Sequence, residues 1–136
     1  MGIKNRKPSQ GSKVKVKQDV VEIKKIDYPV FCFRHLHKDY NLDHCTNDEK
    51  RSLIEQIAKI SLLDWGTIQL SNRHGIGTEK ISTSSIKANI PYELTEDVEY
   101  LLAFRFDGMK PFIGHRDKFI FHVLFIDRDF TLYKHS

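Results

Sequence analysis

The chain has 136 residues, 40% hydrophobic and 29% charged, with a formal net charge of +4. This length supports one domain with a real core, and the composition is that of a globular protein, not of a low-complexity one. No stretch approaches the roughly 20 apolar residues that span a bilayer, the N-terminus has no apolar secretory segment, and two cysteines make no disulfide framework, so a reduced cytoplasmic protein is expected.

The charge is concentrated at the start. Residues 1–25 hold eight Lys and Arg against Asp19 and Glu22, whereas the remainder holds 14 basic against 16 acidic residues. Residues 1–18 have almost nothing to bury, which predicts a disordered basic tail. Such a tail can give salt-dependent affinity for phosphates or act as a solubilising leader. Residues 19–136 are read as one domain.

Alternation of Val30, Cys32, Arg34 and Leu36 against Phe31, Phe33 and His35 predicts a first strand. A polar loop, "HKDYNLDHC", follows. Thr46, with Glu49 three residues on, forms a capping box that opens a helix over 46–63. Leu53, Ile54, Ile57, Ala58 and Ile60 supply its apolar stripe. Trp65 and Ile68 predict a second short helix. "NRHGIGTEKI" reads as a turn leading into a strand, and "SIKANIPYELTEDVE" as a short strand and an acidic loop.

The C-terminal part reads as a β-meander, with strands at 101–106, 111–116 and 119–126. Asp107-Gly108 and Asp117-Lys118 mark its turns. The third of these strands is apolar on both faces and suits a central position. Residues 131–134 are expected to add a last short strand. A turn at 117–118 pairs Arg116 with Phe119 and Ile113 with His122. Arg105, Phe112, Gly114 and Arg116 then share one face, and Ile113, His115, Ile120, His122 and Leu124 the other. One face is expected to cover the helix and the other to line a cleft.

The chain has no Gly-rich phosphate loop, zinc-finger spacing or nucleophile elbow. Cys32, His35, His37, His44 and Cys45 cluster in sequence, but their spacing fits none of the usual zinc pairs. A buried Cys32 and solvated histidines are expected there, with no metal and no cofactor. Arg73 and His74, before a glycine turn, offer a cation and a possible acid or base. The C-terminal third carries Arg105, Lys110, His115, Arg116, His122, Arg128, Tyr133, Lys134 and His135. Cleavage of RNA by its own 2′-OH needs a base, an acid and cations for the phosphorane. His, Tyr, Arg and Lys supply these without a metal.

The stretch from "RHGIG" through "YLLAFRFDGMKPFIGHRDKFIFHVLFIDRDFTLYKH" resembles the RelE/ParE superfamily of bacterial toxins, which includes RelE, YoeB, YafQ and HigB types. The resemblance covers roughly residues 28–135. It implies an α+β, RelE-like domain: an N-terminal strand and one or two helices packed on a C-terminal antiparallel sheet. It also implies a metal-independent endoribonuclease (an mRNA interferase), the toxin of a type II toxin–antitoxin pair. RNA, with the ribosome as a candidate platform, and a cognate antitoxin would be its partners; no membrane is involved. On this reading His122, Tyr133, His135 and His74 are the catalytic candidates. Arg105, Lys110, His115, Arg116 and Arg128 are the phosphate-binding candidates. The alternatives are a non-catalytic protein- or nucleic-acid-binding domain and a gyrase-directed ParE-type toxin.

Overall fold

The computed structural model describes residues 26–70, 76, 78–91, 94 and 96–134. The predicted tail, residues 1–18, lies outside them. Thr46 begins the main helix, α1 (Asn47–Ser61), by the predicted capping box. Its Oγ1 accepts from the Glu49 N–H at 3.1 Å, and its own N–H donates to Glu49 Oε1 at 2.7 Å. Leu53 and Ile60 are buried and Ile57 is half-buried, but Ile54 is 62% exposed. Ile54 stands about 100° round the helix from Leu53 and so falls off the stripe. A second helix, α2 (Trp65–Leu70), follows as predicted.

The strands are β1 (Val30–Cys32), β2 (Glu79–Ser82), β3 (Tyr100–Asp107), β4 (Lys110–Asp117) and β5 (Ile120–Ile126). They form a mixed sheet in the order β1-β5-β4-β3-β2. The meander is antiparallel, while β1 joins β5 in parallel. β5 is therefore internal, as its two-sided apolarity predicts. The fold is α+β, and none of its described helices is long and apolar enough to cross a membrane.

Both faces of the sheet bear a core, which corrects the expected open cleft on one face. On the first, Leu53, Ile60, Trp65 and Ile68 of the helices meet Phe104, Phe112, Phe121 and Val123. On the second, Leu101, Ala103, Ile113, Leu124 and Phe125 lie under Leu132, Tyr133, Tyr40, Ile86, Ala88 and Ile90. No helix of eight or more described residues covers this second face; irregular segments do.

Three expectations about local structure need correction. Residues 131–134 form no strand, and neither do the described residues of 85–99, which begin instead with a 3-10 turn, Thr83–Ser85. The β4–β5 turn falls one residue later, with Asp117 opposite Ile120 and His115 opposite His122. Lys118 takes the positive φ (59°) that this tight turn requires. In addition, register shifts between Arg105 and Asp107 and between Ile113 and Gly114. The first shift puts Arg105 with Ala103 on the second face, opposite Phe112 and Arg116. The second leaves Leu124 as the extra residue of a bulge, so Leu124 and Phe125 both enter the second core. Gly114 permits this bend, because a Cβ there would strike the His122 carbonyl and the Phe121 ring.

Candidate functional site

The second face gathers a carboxylate, a guanidinium and a phenol. Glu79 lies opposite Ala103, and Ile81 opposite Leu101. Since Ile81, Leu101 and Ala103 belong to the second core, strand alternation sends Glu79 and Arg105 to the same side. Both are half-buried.

Tyr133 reaches this face through a turn built by a buried carboxylate. Asp127 is 1% exposed. Its Oδ1 accepts from the Thr131 N–H at 2.9 Å and its Oδ2 from the Leu132 N–H at 3.1 Å. Phe130 takes a positive φ of 58° to close the turn. The Leu132 carbonyl then accepts from the Lys87 N–H at 2.8 Å, which ties the turn to the covering segment.

Tyr133 is 6% exposed, so it is a core residue, held there by a turn and not by the expected last short strand. Its phenol is pushed up to about 12, first by burial and then by the Glu79 and Asp127 carboxylates; Arg105 opposes the rise. Tyr133 is thus a fully protonated donor at neutral pH. Sequence reasoning missed Glu79. The signal was present, because Glu79 shares a strand face with Ile81, but only the β2–β3 register brings it beside Arg105.

The remaining candidates fall into two groups at opposite ends of β4, roughly 20 Å apart at the usual rise per residue. Lys110 and Arg128 both bind Glu49, which is 3% exposed. Arg128 Nε donates to Oε1 at 2.8 Å and Nη2 to Oε2 at 3.2 Å, while Lys110 Nζ donates to Oε2 at 2.5 Å. Chiefly through Arg128, with Lys110 and the Thr46 N–H adding to it, the Glu49 carboxyl is held down at about 2. These two cations fasten the start of α1 to the sheet.

At the other end, the Arg116 guanidinium lies 4.2 Å from the Trp65 ring centre. Its Nε donates to the Lys118 carbonyl at 2.7 Å. The His115 and His122 rings are nearly parallel, 6.3 Å apart, and the His35 ring also lies 6.3 Å from that of His122. Burial holds the His115 imidazole below its ordinary value. His122 Nδ1 is buried without a hydrogen-bond partner among the described residues. His74 and His135 lie outside the described residues.

Among the described residues, no three His, Cys, Asp or Glu side chains come together to hold a metal. Cys32 and Cys45 are free thiols, and burial, then Glu49, pushes the Cys45 thiol up, away from the thiolate form that binds zinc. Comparison with protein-family models, with curated proteins and with solved structures finds no match.

Proposed function

We propose that this protein is a metal-independent endoribonuclease, the RelE/ParE-like toxin of a toxin–antitoxin pair, acting in the cytoplasm of a bacterium. The observation that carries the reading is the convergence of Glu79, Arg105 and Tyr133 on one sheet face. The succession of a strand, two helices and an antiparallel meander also supports it. The Glu79 carboxylate takes the proton of a 2′-OH, whose oxygen attacks the adjacent phosphorus. Arg105 offsets the charge of the phosphorane. Tyr133 gives its proton to the departing 5′-oxygen, leaving a 2′,3′-cyclic phosphate and a 5′-OH. His135, two residues further on, is a second candidate for that acid, and His74 for the base.

Cleavage of RNA in EDTA, with and without ribosomes, tests this reading. Glu79→Gln and Tyr133→Phe should each reduce the rate by about 10²- to 10⁴-fold, the usual contribution of a general base or acid. Arg105→Ala should act in the same direction. Cleavage that persists in both Glu79→Gln and Tyr133→Phe, or that disappears with EDTA, would overturn it.

One observation favours a second reading, a non-catalytic domain that binds a protein or a nucleic acid. Lys110 and Arg128 are already engaged by Glu49, and Arg116 by Trp65. That reading predicts no cleavage by the unaltered protein under any of these conditions. A gyrase-directed toxin predicts inhibited DNA supercoiling instead.

A further inference from the structure

A cleft of about 500 Å³ opens at the end of β5, between the 37–44 loop, residues 87–89 and the Asp127 turn. Its volume suits a small organic ligand better than an ion. One wall is aromatic. The His37 and Tyr40 rings stand 5.6 Å apart at 68°, and both rest on Phe125, at 5.5 and 5.8 Å. Such a backed wall suits a flat heterocycle. The Asp39 N–H donates to His37 Nδ1 at 3.1 Å. The neutral ring therefore carries its proton on Nε2 and is a donor.

The opposite side is cationic and amide-bearing. Lys87 and Asn89 line it from the covering segment, with the exposed His44 from the 37–44 loop; Arg128 also lines the cleft but is held by Glu49 and Asp129. Two of the carboxylates nearby are already occupied. Asp127 accepts from two backbone N–H groups, and Asp129 accepts from Arg128 Nη1 at 2.6 Å. Asp39 is left at the mouth as an acceptor. A ring-sized aromatic wall and an amide match a base, and the Lys87 ammonium matches a phosphate beside it.

We propose that this cleft binds a nucleotide. The ligand is either a free mononucleotide or one unit of an RNA strand. The site adjoins Tyr133, because Lys87 bonds Leu132, the residue before it. Only the RNA source rests on the ribonuclease reading; the site itself does not.

The test uses the full chain carrying Glu79→Gln, so that RNA survives the measurement. Calorimetry or NMR titration follows each of the four 5′-ribonucleoside monophosphates, inorganic phosphate and a short oligoribonucleotide. At least one monophosphate should bind saturably, with inorganic phosphate at least about tenfold weaker. His44→Ala and Lys87→Ala, both at exposed positions, should each weaken binding about tenfold, as expected for one lost charge-assisted contact. An unchanged melting temperature shows that these variants are folded. If the oligoribonucleotide weakens in parallel, an RNA strand is the source; if only the monophosphate weakens, the free nucleotide is. Absence of saturable monophosphate binding, or binding indifferent to both substitutions, overturns the site. RNA cleavage without nucleotide binding here would overturn this inference alone. Nucleotide binding without cleavage would overturn the ribonuclease reading and leave the cleft assigned.

Discussion

The two faces of the sheet are both buried, yet they are closed by different means. The first is closed by helices whose apolar side chains repeat at helical spacing and meet a layer of phenylalanines. The second is closed by loops, whose backbone groups must be satisfied one by one, and Asp127 and the Leu132–Lys87 bond do this. Regular cover leaves little room for polar side chains. Irregular cover ends abruptly and leaves margins, and in those margins stand Glu79, Arg105 and the His115–His122 pair. The contrast places Glu79, Arg105 and Tyr133 on the face that was harder to build.

The contrast can be broken most forcefully from the helix side. Phe112→Ala, in the first core, should cost about 3 to 5 kcal/mol in denaturant unfolding. Next is Glu49→Ala, which should cost about 3 kcal/mol, the lower end for a broken buried pair, since it removes the capping box while Arg128 keeps Asp129 and Lys110 keeps Asp107. The sign of its pH dependence is fixed. The folded carboxyl at about 2 lies below its ordinary 4.5, so its contribution is complete above 4.5 and is lost as the pH falls toward 2. Glu49→Gln should therefore flatten the acid limb of stability within that window.

On the loop-covered face, Asp127→Ala should cost about 1 to 3 kcal/mol, because the buried Leu132 N–H loses its acceptor. It should also release Tyr133. In the unaltered protein the Tyr133 phenol should resist titration at pH 10, followed by its ultraviolet difference spectrum. Because the phenol is pushed up to about 12 in the fold, stability should fall as the pH rises from 10 toward 12. In Asp127→Ala the same phenol should titrate nearer 10. A Tyr133 that already titrates normally would mean that the two faces are less different than described. The smallest effects return to α1. Thr46→Ala should cost about 1 kcal/mol, and Ile54→Ala less than about 0.5 kcal/mol, because Ile54 faces solvent.

The regular elements were legible because their signals are local. A cap, an apolar stripe and two-sided apolarity identify α1 and β5 without knowledge of the rest. Faces were harder. A bulge shifts every later side chain to the other side, so Arg105 changed face and Leu124 joined Phe125. The Glu79–Arg105 neighbourhood depends on a register between strands some twenty residues apart. Tyr133 read as part of a last short strand, whereas its burial depends on a turn made by an aspartate six residues earlier. The basic residues near the C-terminus looked alike in sequence. Pairing separated them, giving Lys110 and Arg128 to Glu49 and Arg116 to Trp65.

The parallel pairing of β1 with β5 has a consequence for the order of assembly. The strand nearest the start of the described chain finds its neighbour only in the last strand, and Leu132 and Tyr133 seal the second core after that. During synthesis, therefore, neither the β1 edge of the sheet nor the Glu79–Arg105–Tyr133 face can form until residues through Tyr133 have emerged. Contacts so distant along the chain also slow folding, because the loop must close before they form. A copy that stops before Thr131 lacks both backbone donors to Asp127 as well as Leu132 and Tyr133, and its second core stays open.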